Sequence, residues 1–252
     1  MSKIPIVVNG ALGKMGVETV RTVEAAKDLE LLASLDLGDD LTRELASRKG
    51  CVVVDFTHPS CAFQNARTIA ENECHGVIGT TGFTSEQIAE LSALCGGKKL
   101  GFFIAPNFAI GALLMMRFAA EAAKHMERAE IVELHHPGKA DAPSGTAHKT
   151  AQLMARARAD AGLPAFEGPH AATETLSGAR GARYEGIRIH SVRMPGMLAN
   201  QEVILGAPGQ TLTIRHDSID RSCFMPGVIL ACRKVRELKG LVVGLDQLLF
   251  GE

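Results

Sequence analysis

The run Ile4-Pro-Ile-Val-Val-Asn9, followed at once by Gly10-Ala-Leu-Gly13-Lys-Met-Gly16, decides the fold. A short apolar run that stops at glycine reads as a strand, and Lys14–Ala26 reads as a helix. Glycines between them let the backbone approach a pyrophosphate, and the helix N-terminus offers unpaired N–H groups. The spacing is G-x-x-G-x-x-G rather than the commoner G-x-G-x-x-G, so a tight turn with Gly16 packing helix on strand is the competing reading. Asp36 ends the next strand candidate, Leu29–Leu35, about 20 residues beyond Gly16, where a carboxylate accepts hydrogen bonds from ribose hydroxyls. A solvated strand-end carboxylate is the alternative, with Asp39 and Asp40 close by. Leu37 follows Asp36 and no Arg stands beside it, which leans toward NAD(H). Lys14 is placed to reach a phosphate, so NADP(H) stays open.

Working outward, the same grammar repeats. Cys51–Phe56 is a strand whose unbroken Val run suits burial on both faces. Pro59–Asn72 is a helix, Gly76–Ile78 a strand, Ser85–Leu94 a helix and Leu100–Ala105 a strand. Such alternation implies an α/β domain with a parallel sheet, which binds ligands at the carboxyl ends of its strands. Gly79-Thr80-Thr81 and Ala105-Pro106-Asn107-Phe108 stand at two of those ends and would line a groove for the nicotinamide half of a dinucleotide.

The pattern changes after about residue 107. Ala109–Met126 and Ser144–Ala161 read as helices and Glu130–His135 as a strand. Gly162–Gly186 is rich in Gly, Pro and Ala and weakly periodic. Ile187–Arg193, Gln201–Gly206 and Thr211–Asp217 are strands joined by turn-like segments, and Phe224–Arg236 is a closing helix. The expected division is a dinucleotide-binding domain over 1–107 and 218–252 and a smaller α+β domain over 108–217.

Composition narrows the function. The 252 residues carry 27 Lys plus Arg against 28 Asp plus Glu, a net charge of −1, which gives no footprint for nucleic acid or a membrane surface. Aromatics are 4% with no Trp, so base-stacking platforms are poorly supplied. The six cysteines form no C-x-x-C pair and read as buried reduced thiols. The N-terminus lacks the apolar region of a signal peptide, and no run is long enough for a membrane span, so a cytoplasmic protein is expected.

The densest chemistry is Glu133-Leu-His135-His136-Pro-Gly-Lys139-Ala-Asp141-Ala-Pro-Ser144-Gly145-Thr146-Ala147. Ser144 is placed as an N-cap, so the N–H groups of Gly145 and Thr146 would point at an anion. Lys139 adds a full charge, and histidine titrates near neutral pH and can donate a proton. These features predict a small-carboxylate pocket with an acid beside it. A metal site is not expected: His148 follows on the helix, but no H-E-x-x-H or cysteine partner accompanies it.

The stretches NGALGKMG, VVVDFTHP, VIGTTGF, APNFAIG and above all ELHHPGKADAPSGTA resemble the 4-hydroxy-tetrahydrodipicolinate (dihydrodipicolinate) reductase family. The later run from Gly186 through Val228 is similar as well, so the likeness covers nearly the whole chain. The resemblance implies a Rossmann-like domain plus a substrate and oligomerisation domain, a homotetramer, and reduction of a cyclic dicarboxylate with NADH or NADPH in lysine and diaminopimelate biosynthesis. It implies that Gly10, Ala11, Leu12, Gly13, Lys14 and Met15 hold the pyrophosphate and Asp36 the adenosine ribose. Gly79, Thr80, Thr81, Ala105, Pro106, Asn107 and Phe108 would contact the nicotinamide half. His135 and Lys139 would be the acid–base pair, with the proton donor unassigned between them, and His136, Gly145 and Thr146 would bind substrate carboxylates. Two positions depart from the pattern: Asn200 stands where a His is expected, with an altered substrate-side contact as the expected consequence, and Leu37 stands where some relatives carry Arg. Another amino-acid dehydrogenase of similar grammar would not need the His-Lys cluster. A non-catalytic NAD(H)-sensing protein would tolerate its loss.

Overall fold

The computed structural model describes residues 2–167 and 173–251. They divide into two compact units, Met1–Ala109 with Arg221–Glu252, and Ile110–Asp220. In chain order the elements are β1 (Ile4–Asn9), α1 (Lys14–Ala25), β2 (Leu29–Leu35), α2 (Leu41–Leu45), β3 (Val52–Asp55), α3 (Pro59–Glu71), β4 (His75–Ile78), α4 (Ser85–Lys98) and β5 (Gly101–Ile104). Then come α5 (Ile110–Ala122), β6 (Arg128–His135), α6 (Gly145–Asp160), β7 (Ala182–Tyr184), β8 (Ile187–Arg193), β9 (Ala199–Ala207), β10 (Gln210–Ser218), α7 (Met225–Lys234), β11 (Gly240–Val243) and α8 (Leu245–Phe250).

The first unit is a six-stranded sheet in the order β11-β5-β4-β3-β1-β2, with all neighbours parallel. Every residue of β3 and β5 is buried, as the unbroken apolar runs require of strands covered on both faces. From β1 the chain steps to β2 on one side, then returns to β3 on the other. That reversal between β1 and β3 opens the crevice where such sheets take their ligands. Helix ends follow local chemistry: His58 caps α3 with Pro59 just inside, and Thr84 and Gln87 form a reciprocal capping box on α4.

The second unit is a mixed sheet, β10-β9-β6-β8-β7. β6 runs parallel to β8 and antiparallel to β9. Ala129, Ile131 and Glu133 of β6, Ile187 and Ile189 of β8, and Gln201, Val203 and Leu205 of β9 make its buried face, with Ala147, Ala151 and Met154 of α6 also in the core. Period-two alternation therefore puts a carboxylate, Glu133, among apolar neighbours.

Several expected boundaries move. α4 passes Leu94 to Lys98, with Gly96 and Gly97 exposed and helical. The long helix expected from Ala109 stops at Ala122 rather than Met126. The expected closing helix is not the end of the chain: β11 adds a sixth strand beside β5, and α8 follows. β7 lies within the stretch Gly162–Gly186, of which residues 168–172 lie outside those described. α2, β7 and β11, of 5, 3 and 4 residues, are elements the sequence reading does not contain. Of the cysteines expected to be buried, Cys61 and Cys223 are only partly covered.

Gly16 packs so closely that a Cβ there would lie 2.0 Å from the Gly10 carbonyl oxygen and 2.7 Å from the Ala11 Cα. Both are backbone atoms with no rotamer to yield. Gly16→Ala should lower the urea unfolding free energy by about 1–3 kcal/mol. Gly96→Ala, where a Cβ meets nothing within 4 Å on an exposed helix, should raise it by up to about 1 kcal/mol.

Candidate active site

In the first unit the carboxyl ends of the parallel strands share one edge. Gly10 leaves β1 with φ +81, and a Cβ there would stand 2.6 Å from the Phe56 carbonyl oxygen, so only glycine fits the turn. Ala11 is buried, whereas Leu12, Gly13 and Lys14 are exposed and Met15 partly so. Gly13 is the N-cap of α1; no side chain caps this helix, and no acid lies in its first turn. Its leading N–H groups and positive dipole end therefore suit a pyrophosphate.

Asp36 follows β2, and its carboxylate accepts from the Leu37 N–H (2.8 Å) and the Leu12 N–H (2.7 Å). These two bonds, Leu37 first, hold its carboxyl below the usual range. Asp39 and Asp40 are spent locally: Asp39 accepts from the Asp36 N–H, and Asp40 caps α2. Asp36 is thus the carboxylate that ties the end of β2 to the glycine turn. Thr80 is buried after β4, and Thr81 is exposed. Asn107 is half-buried, and its side-chain oxygen accepts from the Ala109 N–H. Phe108 is buried, edge-on to Phe56 (5.8 Å) and Phe103 (6.0 Å), while Pro106 is exposed.

In the second unit the His-Lys cluster is assembled at the end of β6, just before α6. Ser144 is the N-cap of α6 and accepts from the Ala147 N–H (3.2 Å), so Gly145 and Thr146 open the helix. His135 is partly buried, His136 is exposed, and Lys139 donates to the Asp141 carboxylate (2.6 Å). Lys139 first, and more weakly the Gly145 N–H, hold the Asp141 carboxyl below its usual range. Asp141 thus uses two groups, Lys139 and Gly145, that the sequence reading assigns to substrate chemistry.

The sequence reading gives no role to Glu133 and Arg193, yet they organise the cluster. Glu133 is fully buried. Its two oxygens take Arg193 in a bidentate pair (2.9 and 2.9 Å), the Ser144 N–H (3.2 Å) and His135 Nδ1. Arg193 also donates to the Asp141 carbonyl oxygen (2.7 Å). One carboxylate thereby ties β6, β8 and the loop before α6 together, and it sets the ring orientation of His135. Burial pushes the Glu133 carboxyl up, but Arg193, Ser191 and His135 outweigh it and leave it low. Burial holds His135 below 6.5, against the pull of Glu133 and with the help of the Lys139 and Arg193 charges.

His148 packs edge-on against Tyr184 (5.1 Å). Asn200 pairs in register with Leu134 and Asp217, so alternation puts it on the sheet face opposite Glu133, where its side-chain amide donates to the Met197 sulfur (3.7 Å). Among the described residues, no group of three or more His, Cys, Asp or Glu is arranged to hold a metal, and no helix is long and apolar enough to cross a membrane.

Three outcomes follow from these charges. His75, His135 and His216 are all held low, with burial the leading cause. Each binds its proton less readily folded than unfolded, so its contribution to stability is complete above about 6.5 and is lost as pH falls toward the depressed folded value. Urea midpoints should therefore drop from pH 7 to pH 5. Glu133→Gln removes the charge that favours the His135 imidazolium, so the His135 pKa, followed by NMR titration, should move further down. Glu133→Ala, which leaves Arg193 unanswered, should cost about 3 kcal/mol.

A family model described as dihydrodipicolinate reductase, N-terminus, matches residues 4–108, and one described as dihydrodipicolinate reductase, C-terminus, matches residues 111–249. The 4-hydroxy-tetrahydrodipicolinate reductase of Mycolicibacterium smegmatis is 54% identical over 95% of this chain and 96% of its own length. That of Listeria innocua is 48% identical over 97% and 99%. The dipicolinate-bound dihydrodipicolinate reductase of Paenisporosarcina sp. TG-14 superposes with a TM-score of 0.86 at 41% identity, covering 97% of this chain and 99% of that one. GenD2 from gentamicin A biosynthesis, solved with NAD, shares only the fold, with a TM-score of 0.62 at 13% identity. With both halves of the chain matched in order and relatives near half identical over almost full length, the chain belongs to the dihydrodipicolinate reductase family.

Proposed function

We propose that this chain reduces 4-hydroxy-tetrahydrodipicolinate to tetrahydrodipicolinate with NADH or NADPH, in lysine and diaminopimelate biosynthesis. The observation that carries the reading is the His135–Glu133–Arg193 arrangement beside Lys139 and the α6 N-terminus. It offers cationic and N–H groups to a small dicarboxylate, with acid–base groups adjacent. The dipicolinate in the Paenisporosarcina relative is a dicarboxylate of that kind.

In this reading the first unit is the dinucleotide-binding domain and the second the substrate domain. Gly10–Met15 and the α1 N-terminus hold the pyrophosphate, Asp36 accepts from the adenosine ribose, and Gly79–Thr81 with Ala105–Phe108 line the nicotinamide side. A reduced nicotinamide supplies the hydride when bound. His136, Gly145 and Thr146 bind the substrate carboxylates. Lys139 and Arg193 are fixed cations near the cluster and stabilise negative charge that develops on the substrate. His135 and Lys139 are the acid–base pair, and burial is the leading cause that lowers the His135 pKa. The Asp36 carboxylate, with Leu37 beside it in place of an arginine, disfavours a 2′-phosphate and favours NADH. A cytoplasmic homotetramer is part of the same proposal.

The test couples the enzyme to a synthase that makes the substrate from pyruvate and aspartate semialdehyde, and follows reduced-nicotinamide absorbance with each coenzyme. Substrate-dependent oxidation, faster with NADH, is expected. Oxidation with neither would sink the proposal. Lys139→Ala should lower kcat by about 10²–10⁴ while NADH affinity stays within about twofold. Near-normal turnover in that variant would remove Lys139 from the chemistry.

A further inference from the structure

Asp55, the last residue of β3, is fully buried. Its Oδ1 accepts from the Thr57 hydroxyl (2.7 Å), the Thr57 N–H (3.2 Å) and the Thr80 hydroxyl (3.2 Å). Its Oδ2 accepts from the side-chain amides of Asn9 (2.8 Å) and Asn65 (3.0 Å). These donors come from the end of β1, the segment after β3, the loop after β4, and α3. Among the described residues, every group that hydrogen-bonds Asp55 is neutral, so the carboxylate acts as acceptor throughout. This contrasts with the buried Glu133, which is answered by an arginine.

Burying a carboxylate with only neutral donors is costly. An amide at this position would keep one acceptor oxygen but turn its own N–H groups on donors, so the tie itself calls for a carboxylate. Its position suggests what the charge does. The carboxylate sits under the two loops, Gly10–Met15 and Gly79–Thr81, assigned to the pyrophosphate and nicotinamide sides. When a hydride leaves with its electron pair, a neutral dihydronicotinamide ring becomes a cation. A fixed negative charge in a low-dielectric floor favours that cation.

We propose that Asp55 is a positioning residue of the coenzyme site whose buried carboxylate frames Asn9, Thr57, Asn65 and Thr80 and biases the site toward the oxidised, positively charged nicotinamide ring. The inference rests on the coenzyme reading given above. It concerns the balance between two coenzyme forms, which a purely structural tie would not alter.

The experiment is isothermal titration of the wild-type protein, Asp55→Asn and Asn65→Ala with NADH and NAD⁺, or with the phosphorylated pair if that binds more tightly. Asn65→Ala loses hydrogen bonds to the network but keeps the charge. Asp55→Asn should raise the ratio of the NAD⁺ to the NADH dissociation constant by on the order of tenfold, whereas Asn65→Ala should leave the ratio within about twofold. An unchanged ratio in Asp55→Asn overturns the inference alone. Failure of the wild-type protein to bind either form overturns the coenzyme reading and the inference with it. If Asp55→Asn lacks a cooperative unfolding transition, the wild-type protein is titrated with NAD⁺ and with benzamide adenine dinucleotide, whose ring is neutral and of the same shape. Tighter binding of NAD⁺ supports the inference, and equal or tighter binding of the neutral analogue overturns it.

Discussion

A carboxylate placed by strand alternation in an apolar layer has to be satisfied in full, and Glu133 imposes that demand on the whole second unit. Its bidentate partner Arg193 comes from β8, the strand parallel to β6, and its N–H partner comes from Ser144 at the head of α6. Strand register, the path of the loop from His136 to Pro143, and the start of α6 are therefore coupled through one side chain. His135 inherits its orientation from the same group. The His135 imidazole, the lysine loop and the start of α6 stand together because one buried charge has to be met from several directions.

The first unit solves a different problem. Its strands are buried on both faces, so polar groups gather at the carboxyl ends, where the chain leaves the sheet. Close contacts at Gly10 and Gly16 bring turn and helix onto β1 and leave the first turn of α1 without a side-chain cap. Under that turn, Asp55 links the ends of β1, β3 and β4. Both units thus centre on a buried carboxylate, one answered by an arginine and the other by amides and hydroxyls.

Much of this was readable from sequence, because it is local. The glycine turn, the acid after β2, the Ser144 cap and the His-Lys cluster each declare themselves within a few residues, through backbone conformation and side-chain type alone. β1, β2 and β8 come out with their expected bounds for the same reason. Short elements escape: β11 has four residues, and it holds its place through its pairing with β5, far earlier in the chain. Asn200 shows the limit from another side. The resemblance implied an altered substrate-side contact there, whereas the sheet face that Asn200 takes is fixed by its register with Leu134 on a strand far earlier in the chain.

The sequence by itself determined the strand–helix alternation, the backbone conformation at the glycine turn and the composition of the His-Lys cluster, since these depend on neighbours along the chain. Tertiary structure decided which charges meet. Glu133 and Arg193 are 60 residues apart, and Asn9 and Asp55 are 46. No periodicity links such pairs. Strand register brings them together, and the cost of burying a carboxylate alone makes the pairing obligatory.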